Sequence, residues 1–151
     1  MEDYQNRSYG QIRVGFGEKT GIVAVYFQTA FTDPQYALGG APLVMRAVEN
    51  TAKLLKVARK APSTLFETGV SAYFVKERVN KVIVAGCNAS GRIRATSIDS
   101  FRTIVPEDCV GDIEEKPYRD NLPDLGGRYV DFGDLATRLA YLEDWRKKNV
   151  H

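Results

Sequence analysis

The sequence predicts an α/β fold with a parallel, doubly wound sheet. Three short, continuous apolar runs rich in β-branched residues, at 22–27, 81–87 and 103–110, are typical of strands covered on both faces. Segments with helical spacing of their apolar residues separate these runs. Because buried strands joined by helices pair in parallel, the alternation indicates one doubly wound domain, which 151 residues are enough to form.

The first half of the chain begins with a polar, glycine-rich stretch, residues 1–20, which we interpret as an N-terminal arm or loop. The first strand, 22–27, is followed by a loop that Asp33-Pro34 and Gly39-Gly40 mark. Residues 41–60 carry apolar side chains at helical spacing, with Lys and Arg late in the run, as a helix C-terminus favours.

The second half predicts further elements of the same single domain, which spans residues 21–151. The stretch 111–127 is polar and contains Pro and Gly, so it is predicted to be a loop. Asp134 is the predicted N-cap of an amphipathic final helix. In chain order, helices are predicted at 64–78 and 92–101 and from 134 onward, strands at 81–87, 103–110 and 129–132, and a tight turn at 88–91.

Two junctions interrupt this alternation. Between Lys60 and Thr64 one predicted helix passes into another with no strand between them. Between Phe101 and Arg102 a helix passes into a strand with almost no connector, although such connections usually take several residues. We interpret both junctions as places where sequence is missing.

The overall composition argues against several classes of protein. The chain is 44% hydrophobic, and its net charge of +2 lacks the basic bias of a dedicated nucleic-acid binder. No apolar run approaches the roughly 20 residues of a membrane span, and the polar N-terminus lacks the apolar core of a secretion signal. Two cysteines fit a reducing compartment. We therefore expect a cytoplasmic protein that binds neither membrane nor nucleic acid.

The distribution of histidine narrows the chemistry. His151, the last residue, is the only one in the chain, so no interior Ser-His or Cys-His pair can form. A histidine cluster for catalytic zinc is excluded for the same reason, and two distant cysteines make a structural zinc site improbable. We expect neither a metal nor a cofactor, and any catalysis must use Cys, Lys, Arg, Tyr and carboxylates.

The turn at residues 86–91 is the strongest candidate for a binding site. It follows a predicted strand and opens a helix, so its backbone N–H groups could hold an oxyanion or a phosphate; a purely structural turn is an equally good interpretation. Cys87 could be a reactive thiol beside the helix N-terminus, but a small buried residue at the strand end is favoured. Cys109 has a similar position and less support. The adjacent Glu107 and Asp108 would point to opposite faces of a strand, so a paired acid–base role is not favoured.

Three segments resemble a known family. Residues 21–33 (GIVAVYFQTAFTD), 61–68 (APSTLFET) and 82–96 (VIVAGCNASGRIRAT) are similar to the isochorismatase-like cysteine hydrolases, and within that superfamily to N-carbamoylsarcosine amidase. Residues 103–112 and 118–122 extend the likeness. The resemblance implies a Rossmann-like, three-layer α/β/α fold, assembly as an oligomer, and hydrolysis of C–N bonds in small carbamoyl or amide compounds.

The resemblance also implies a catalytic set of Asp, Lys and Cys, with an oxyanion held by backbone N–H groups beside a cis peptide bond. In this chain the Asp position is Tyr26 and the Lys position is Arg59, with Lys60 as a displaced alternative. The Cys position, directly after Ser90-Gly91, is Arg92. Cys87 matches a position that is not the nucleophile of the family.

These substitutions predict an impaired or inactive enzyme. A guanidinium stays protonated and has no lone pair to attack a carbonyl, and the phenol of Tyr26 is a poor base near neutral pH. Cys87 as a substitute nucleophile is the less favoured alternative. The resemblance therefore predicts a pseudoenzyme, a protein that keeps the scaffold of an enzyme family without its catalytic groups.

Two non-catalytic functions are open to such a scaffold. A small carboxylate, carbamoyl or phosphate ligand could bind at Cys87, Asn88, Ser90, Gly91 and Arg92, with Arg59 nearby; alternatively, the arginines point to solvent. The missing segment after Lys60 would also shorten one flank of the sheet and leave the strand at 22–27 at or near its edge. An uncovered apolar edge invites pairing with another chain, which predicts a homo-oligomer.

Overall fold

A computed structural model describes residues 19–59, 64–65, 74–99, 102–128 and 130–149. Most of the predicted N-terminal arm lies outside these residues, and the first strand begins at Thr20, two residues earlier than predicted. The strands are β1 (Thr20–Val25), β2 (Thr64–Leu65), β3 (Lys81–Cys87), β4 (Thr103–Pro106), β5 (Val110–Gly111) and β6 (Val130–Gly133); the α-helices are α1 (Thr29–Thr32), α2 (Pro42–Ala58), α3 (Arg94–Asp99), α4 (Glu115–Arg128) and α5 (Leu135–Asn149).

The strands form one sheet in the order β2-β1-β3-β4-β6, and β5 pairs with the end of β3. Every strand pair in this sheet is parallel. The predicted fold class, an α/β domain with a mainly parallel sheet and flanking helices, is therefore confirmed. In such a sheet all carboxyl ends lie along one edge, which is where ligands bind in open α/β folds.

Strand β3 is the centre of the molecule. All seven of its residues are buried, as its continuous apolar sequence predicts for a strand covered on both faces. Ile83 packs in one hydrophobic cluster with Leu54 of α2 and Leu142 of α5. Val84 packs on the opposite face with Leu125 of α4, in a cluster that also includes Ile93. The helices thus form a layer on each side of the sheet.

Three predicted elements differ from the observed ones. Thr64 and Leu65, predicted as helix, form β2 because they pair in parallel with Gly21 and Ile22 of β1. Residues 103–110 are interrupted by a 3₁₀ turn, Glu107–Cys109, between β4 and β5. Much of the predicted loop at 111–127 is helix α4, because burial of Leu122 and Leu125 against the core outweighs its low apolar content.

The two flanks of the sheet differ in extent. Among the described residues, β6 pairs with all four residues of β4, whereas β2 pairs with two residues at the start of β1, Gly21 and Ile22. Beyond that pairing, Ala24 is exposed. Within the described part of the chain, no helix is both long and apolar enough to cross a membrane, and no group of three or more His, Cys, Asp or Glu side chains could hold a metal ion.

Candidate functional site

The carboxyl ends of β1 and β3 bring Tyr26 and Arg92 together. Tyr26 directly follows β1, and Arg92 lies in the π-helical turn Ala89–Ile93 that links β3 to α3. The guanidinium carbon of Arg92 lies 5.3 Å from the centroid of the Tyr26 ring, within the range of a cation–π interaction. Both side chains are exposed, so this pair, the Tyr26–Arg92 pair, is accessible from solvent.

The backbone of Tyr26 has an unusual conformation. Its φ angle is +57°, in the left-handed region that bulky residues rarely adopt and that often marks a functional site. Two contacts hold the residue there. The Cys87 thiol donates a hydrogen bond to the Tyr26 carbonyl oxygen, at 2.9 Å from sulfur to oxygen. The ring of Phe31, in α1, meets the Tyr26 ring edge to face with a centroid separation of 6.2 Å.

The strand end of β3 is shaped by its close approach to β1. Gly86 has a φ of +132°, and a Cβ at this position would collide with the carbonyl oxygen of Val25, so only glycine fits. The peptide bond between Cys87 and Asn88 is cis, as the family resemblance implies for this turn. The side-chain oxygen of Asn88 is buried and accepts no hydrogen bond from any described residue.

The backbone N–H groups of the turn are partly used by the protein itself. Ser90 donates its N–H to Oδ2 of Asp112 at 2.8 Å, and Gly91 donates its N–H to the carbonyl oxygen of Asn88 at 3.1 Å. Asp112 is 3% exposed, and its Oδ1 accepts the N–H of Ile113 at 2.8 Å. Of the backbone N–H groups that were predicted to hold an oxyanion or a phosphate, the one of Ser90 is thus already hydrogen-bonded to the carboxylate of Asp112.

Asp112 is the site residue that sequence reasoning missed. It follows β5, whose Gly111 pairs with Cys87, so the topology brings it beside the turn. The only signal was its place at the carboxyl end of a strand, which many residues share. Its hydrogen bond with Ser90 depends on a strand pairing that the sequence does not reveal.

Neither cysteine has the environment of a reactive thiol. Cys87 is fully buried, and burial, followed by the negative charge of Asp112, raises the pKa of its thiol to about 11. Burial raises the pKa of the Cys109 thiol to about 12. A nucleophilic cysteine needs a lowered pKa and access to substrate, and Cys87 has neither.

Arg59 lies away from the Tyr26–Arg92 pair. It is the C-cap of α2, the helix that leaves the carboxyl edge of the sheet after β1 and ends before β2. Because β2 pairs in parallel with the start of β1, Arg59 is near the amino edge of the sheet, opposite the site. Lys60 lies outside the described residues. The structure therefore brings together two of the three predicted triad positions, Tyr26 and Arg92.

Comparison with known proteins gives a consistent assignment. Maleamate amidohydrolase from Pseudomonas putida is 29% identical over 207 residues, covering 96% of this chain and 94% of that protein. A cysteine hydrolase from Pseudomonas syringae has the same fold, with a TM-score of 0.76 at 15% identity over 89% of this chain and 98% of that one. The chain has the fold of the isochorismatase-like hydrolases and is similar in sequence to maleamate amidohydrolase over nearly its whole length.

Other structures of the superfamily agree in fold. An isochorismatase-like hydrolase from Alkaliphilus metalliredigens gives a TM-score of 0.72 at 14% identity over 84% of this chain and 99% of that one. N-carbamoylsarcosine amidase from Thermoplasma acidophilum gives a TM-score of 0.60 at 14% identity over 78% of this chain and 96% of that one. The likeness to that amidase is one of fold. A scan against protein-family models finds no match.

The alignment with maleamate amidohydrolase also bears on the interrupted junctions. The aligned stretch is 207 residues long, whereas this chain has 151 residues in all. The stretch must therefore include positions of the relative that have no counterpart in this chain. This agrees with the interpretation that internal sequence is missing.

Proposed function

We propose that this chain is a non-hydrolysing member of the superfamily that binds a small carboxylate at the Tyr26–Arg92 pair. The observation that carries the proposal is the position of Arg92. By the family resemblance, a guanidinium stands where the nucleophilic cysteine would be, 5.3 Å from the ring of Tyr26 at the Asp position. By that resemblance the pair occupies the place of the catalytic groups, and its side chains can bind a ligand but cannot attack a carbonyl carbon.

The environment of Cys87, the alternative nucleophile, supports the loss of hydrolysis. With a thiol pKa of about 11, only about one Cys87 side chain in ten thousand is ionised at neutral pH. The thiol is also buried beneath the Tyr26 backbone, to which it donates its hydrogen bond. Loss of a nucleophile costs about six orders of magnitude in a well-studied protease.

The open donors of Arg92 support a carboxylate ligand. Among the described residues, none accepts a hydrogen bond from its guanidinium or forms an ion pair with it. The guanidinium makes a cation–π contact with the Tyr26 ring. A guanidinium presents parallel N–H groups that match a carboxylate bidentately. The P. putida relative is named for maleamate, a small compound with one carboxylate and one amide, which makes maleamate the natural probe.

The test is calorimetric titration of maleamate together with an assay for ammonia release. We expect saturable binding without ammonia, and at least tenfold weaker binding by Arg92→Gln, because charge-assisted hydrogen bonds are lost. The matched control is Arg119→Gln, which removes an exposed arginine from α4 and should bind like the wild type. Ammonia release that Cys87→Ser abolishes would contradict the proposal, as would failure of the wild type to bind.

Homo-oligomeric assembly through β1 is a second proposal, supported by the register of this strand: among the described residues β2 pairs with Gly21 and Ile22, and Ala24 beyond them is exposed. A second copy could add a strand beside β1 at Ala24, since a strand edge is a template for another chain. Light scattering should give at least a dimer mass, and Ala24→Lys should lower it. Ala52→Lys, at an exposed position on α2, is the control. A monomeric wild type would contradict this proposal.

A further inference from the structure

Asp112 places a buried negative charge beside the candidate site. Each of its carboxylate oxygens accepts a backbone N–H at 2.8 Å, from Ser90 and from Ile113, and the side chain is almost fully enclosed. Ser90 lies two residues before Arg92 in the same turn. The carboxylate is therefore a fixed part of the site rather than a mobile surface group.

The charge of Asp112 limits what the site can hold. Its Oδ2 accepts the hydrogen bond of the Ser90 N–H, and this donor is therefore not free to bind an external phosphate. Its negative charge also contributes to the raised pKa of the Cys87 thiol, so its field reaches the end of β3. Arg92 is the only cation among residues 86–92.

We propose that Asp112 is a specificity-determining residue that restricts the ligand of the Tyr26–Arg92 pair to monoanions. This inference rests on the proposed carboxylate binding. A monocarboxylate is balanced by the charge of Arg92. A second negative charge has no cation among residues 86–92 to meet and is repelled by Asp112, so dicarboxylates and phosphates are disfavoured.

The experiment compares maleamate with maleate, which has the same carbon skeleton and a second carboxylate in place of the amide. At a pH that ionises both carboxyls of maleate, the wild type should bind maleamate on the order of tenfold more tightly than maleate. Inorganic phosphate should bind as weakly as maleate. Asp112→Asn keeps an oxygen acceptor and removes the charge, so it should bring the two affinities close together.

The control is Glu114→Gln, which removes an exposed carboxylate two residues away and should leave the ratio unchanged. Equal binding of maleamate and maleate by the wild type would overturn this inference and leave the proposed function standing. A folded Asp112→Asn variant with the wild-type ratio of maleamate affinity to maleate affinity would also overturn the inference and leave the proposed function standing. Failure to bind either compound would overturn both.

If Asp112→Asn does not fold, the salt dependence of the wild type's ratio of maleamate affinity to maleate affinity tests the inference instead. An electrostatic preference for maleamate should shrink at high salt, because ions screen the charge of a ligand in an open site. A ratio that does not change with salt would show that shape, not Asp112, selects the ligand, and would contradict the inference.

Discussion

Arg138 and Arg92 show how the same side chain serves different purposes in two parts of the molecule. Arg138 of α5 is 4% exposed, and its Nη2 lies 3.4 Å from Oδ1 of Asp131 on β6. Gly133 lies directly against its guanidinium, since a Cβ there would clash with Nη2. Arg92, at the carboxyl edge, is exposed and contacts only an aromatic ring among the described residues.

The difference teaches that burial and pairing, not residue type, separate a structural charge from a binding group. Arg138 is enclosed, and its Nη2 pairs with the carboxylate of Asp131. Arg94 of α3 is intermediate: it forms an ion pair with Asp124 at 2.7 Å, and both side chains are more than a third exposed. Arg92 keeps its donors available. A graded loss of stability across these three arginines would confirm the comparison.

Arg138→Met should have the largest effect. Removing the guanidinium leaves the carboxylate of Asp131, whose side chain is 14% exposed, without this partner, and breaking a buried pair typically costs about 3–5 kcal/mol. Urea denaturation monitored by circular dichroism measures the change. The double variant Arg138→Met/Asp131→Leu should recover part of the loss. A cost below about 1 kcal/mol for the single variant would contradict the structural role.

The buried thiol under Tyr26 should make stability depend on alkaline pH. The pKa of Cys87 is raised from 9.0 to about 11 in the folded protein, so between these values the unfolded chain loses a proton that the folded chain keeps. Stability should therefore fall as pH rises from 9.0 towards 11. We expect Cys87 to contribute about 1–2 kcal/mol of this fall.

Cys87→Ala should make the decline shallower, as measured by urea denaturation across that pH range. Cys109→Ala is the matched variant, because burial also raises the pKa of that thiol, to about 12. An identical decline in Cys87→Ala and the wild type would mean that the Cys87 thiol is not shielded from water.

Arg94→Gln should have a smaller effect. Its ion pair with Asp124 is partly exposed, and such pairs contribute about 0–1 kcal/mol. The loss should decrease further at high salt, which screens exposed pairs. A loss as large as that of Arg138→Met would break the proposed grading.

Arg92→Gln should have the smallest effect on stability, about 0.5 kcal/mol, because it removes only an exposed cation–π contact. The same variant should show the largest loss of maleamate binding. If it unfolds the protein instead, Arg92 is a structural residue and the comparison with Arg138 fails.

Local pattern was sufficient for the most buried elements. The strand at 81–87 has the predicted bounds, because a continuous apolar run can only be buried on both faces. The helix predicted at 41–60 is observed at Pro42–Ala58, and Asp134 accepts the N–H of Thr137 at 2.7 Å as a helix N-cap does. These features depend on the periodicity of neighbouring residues, which the sequence contains.

Pattern failed where a distant partner decides the outcome. Thr64 and Leu65 have no strand signal of their own and become β2 by pairing with β1. Helix α4 contains Pro117 and Pro123, so its sequence predicts a loop. The helix forms because Leu122 and Leu125 pack into the hydrophobic core. In both cases the free energy comes from contacts with other elements.

The sequence by itself determined the α/β class and the central strand, and it predicted Tyr26 and Arg92 as candidate site residues. Only the tertiary structure showed that those two side chains meet, that Arg59 lies at the other edge of the sheet, and that Asp112 fills the Ser90 amide. The physical reason is that burial patterns repeat along the chain, whereas a site is made by strand ends that parallel pairing brings together.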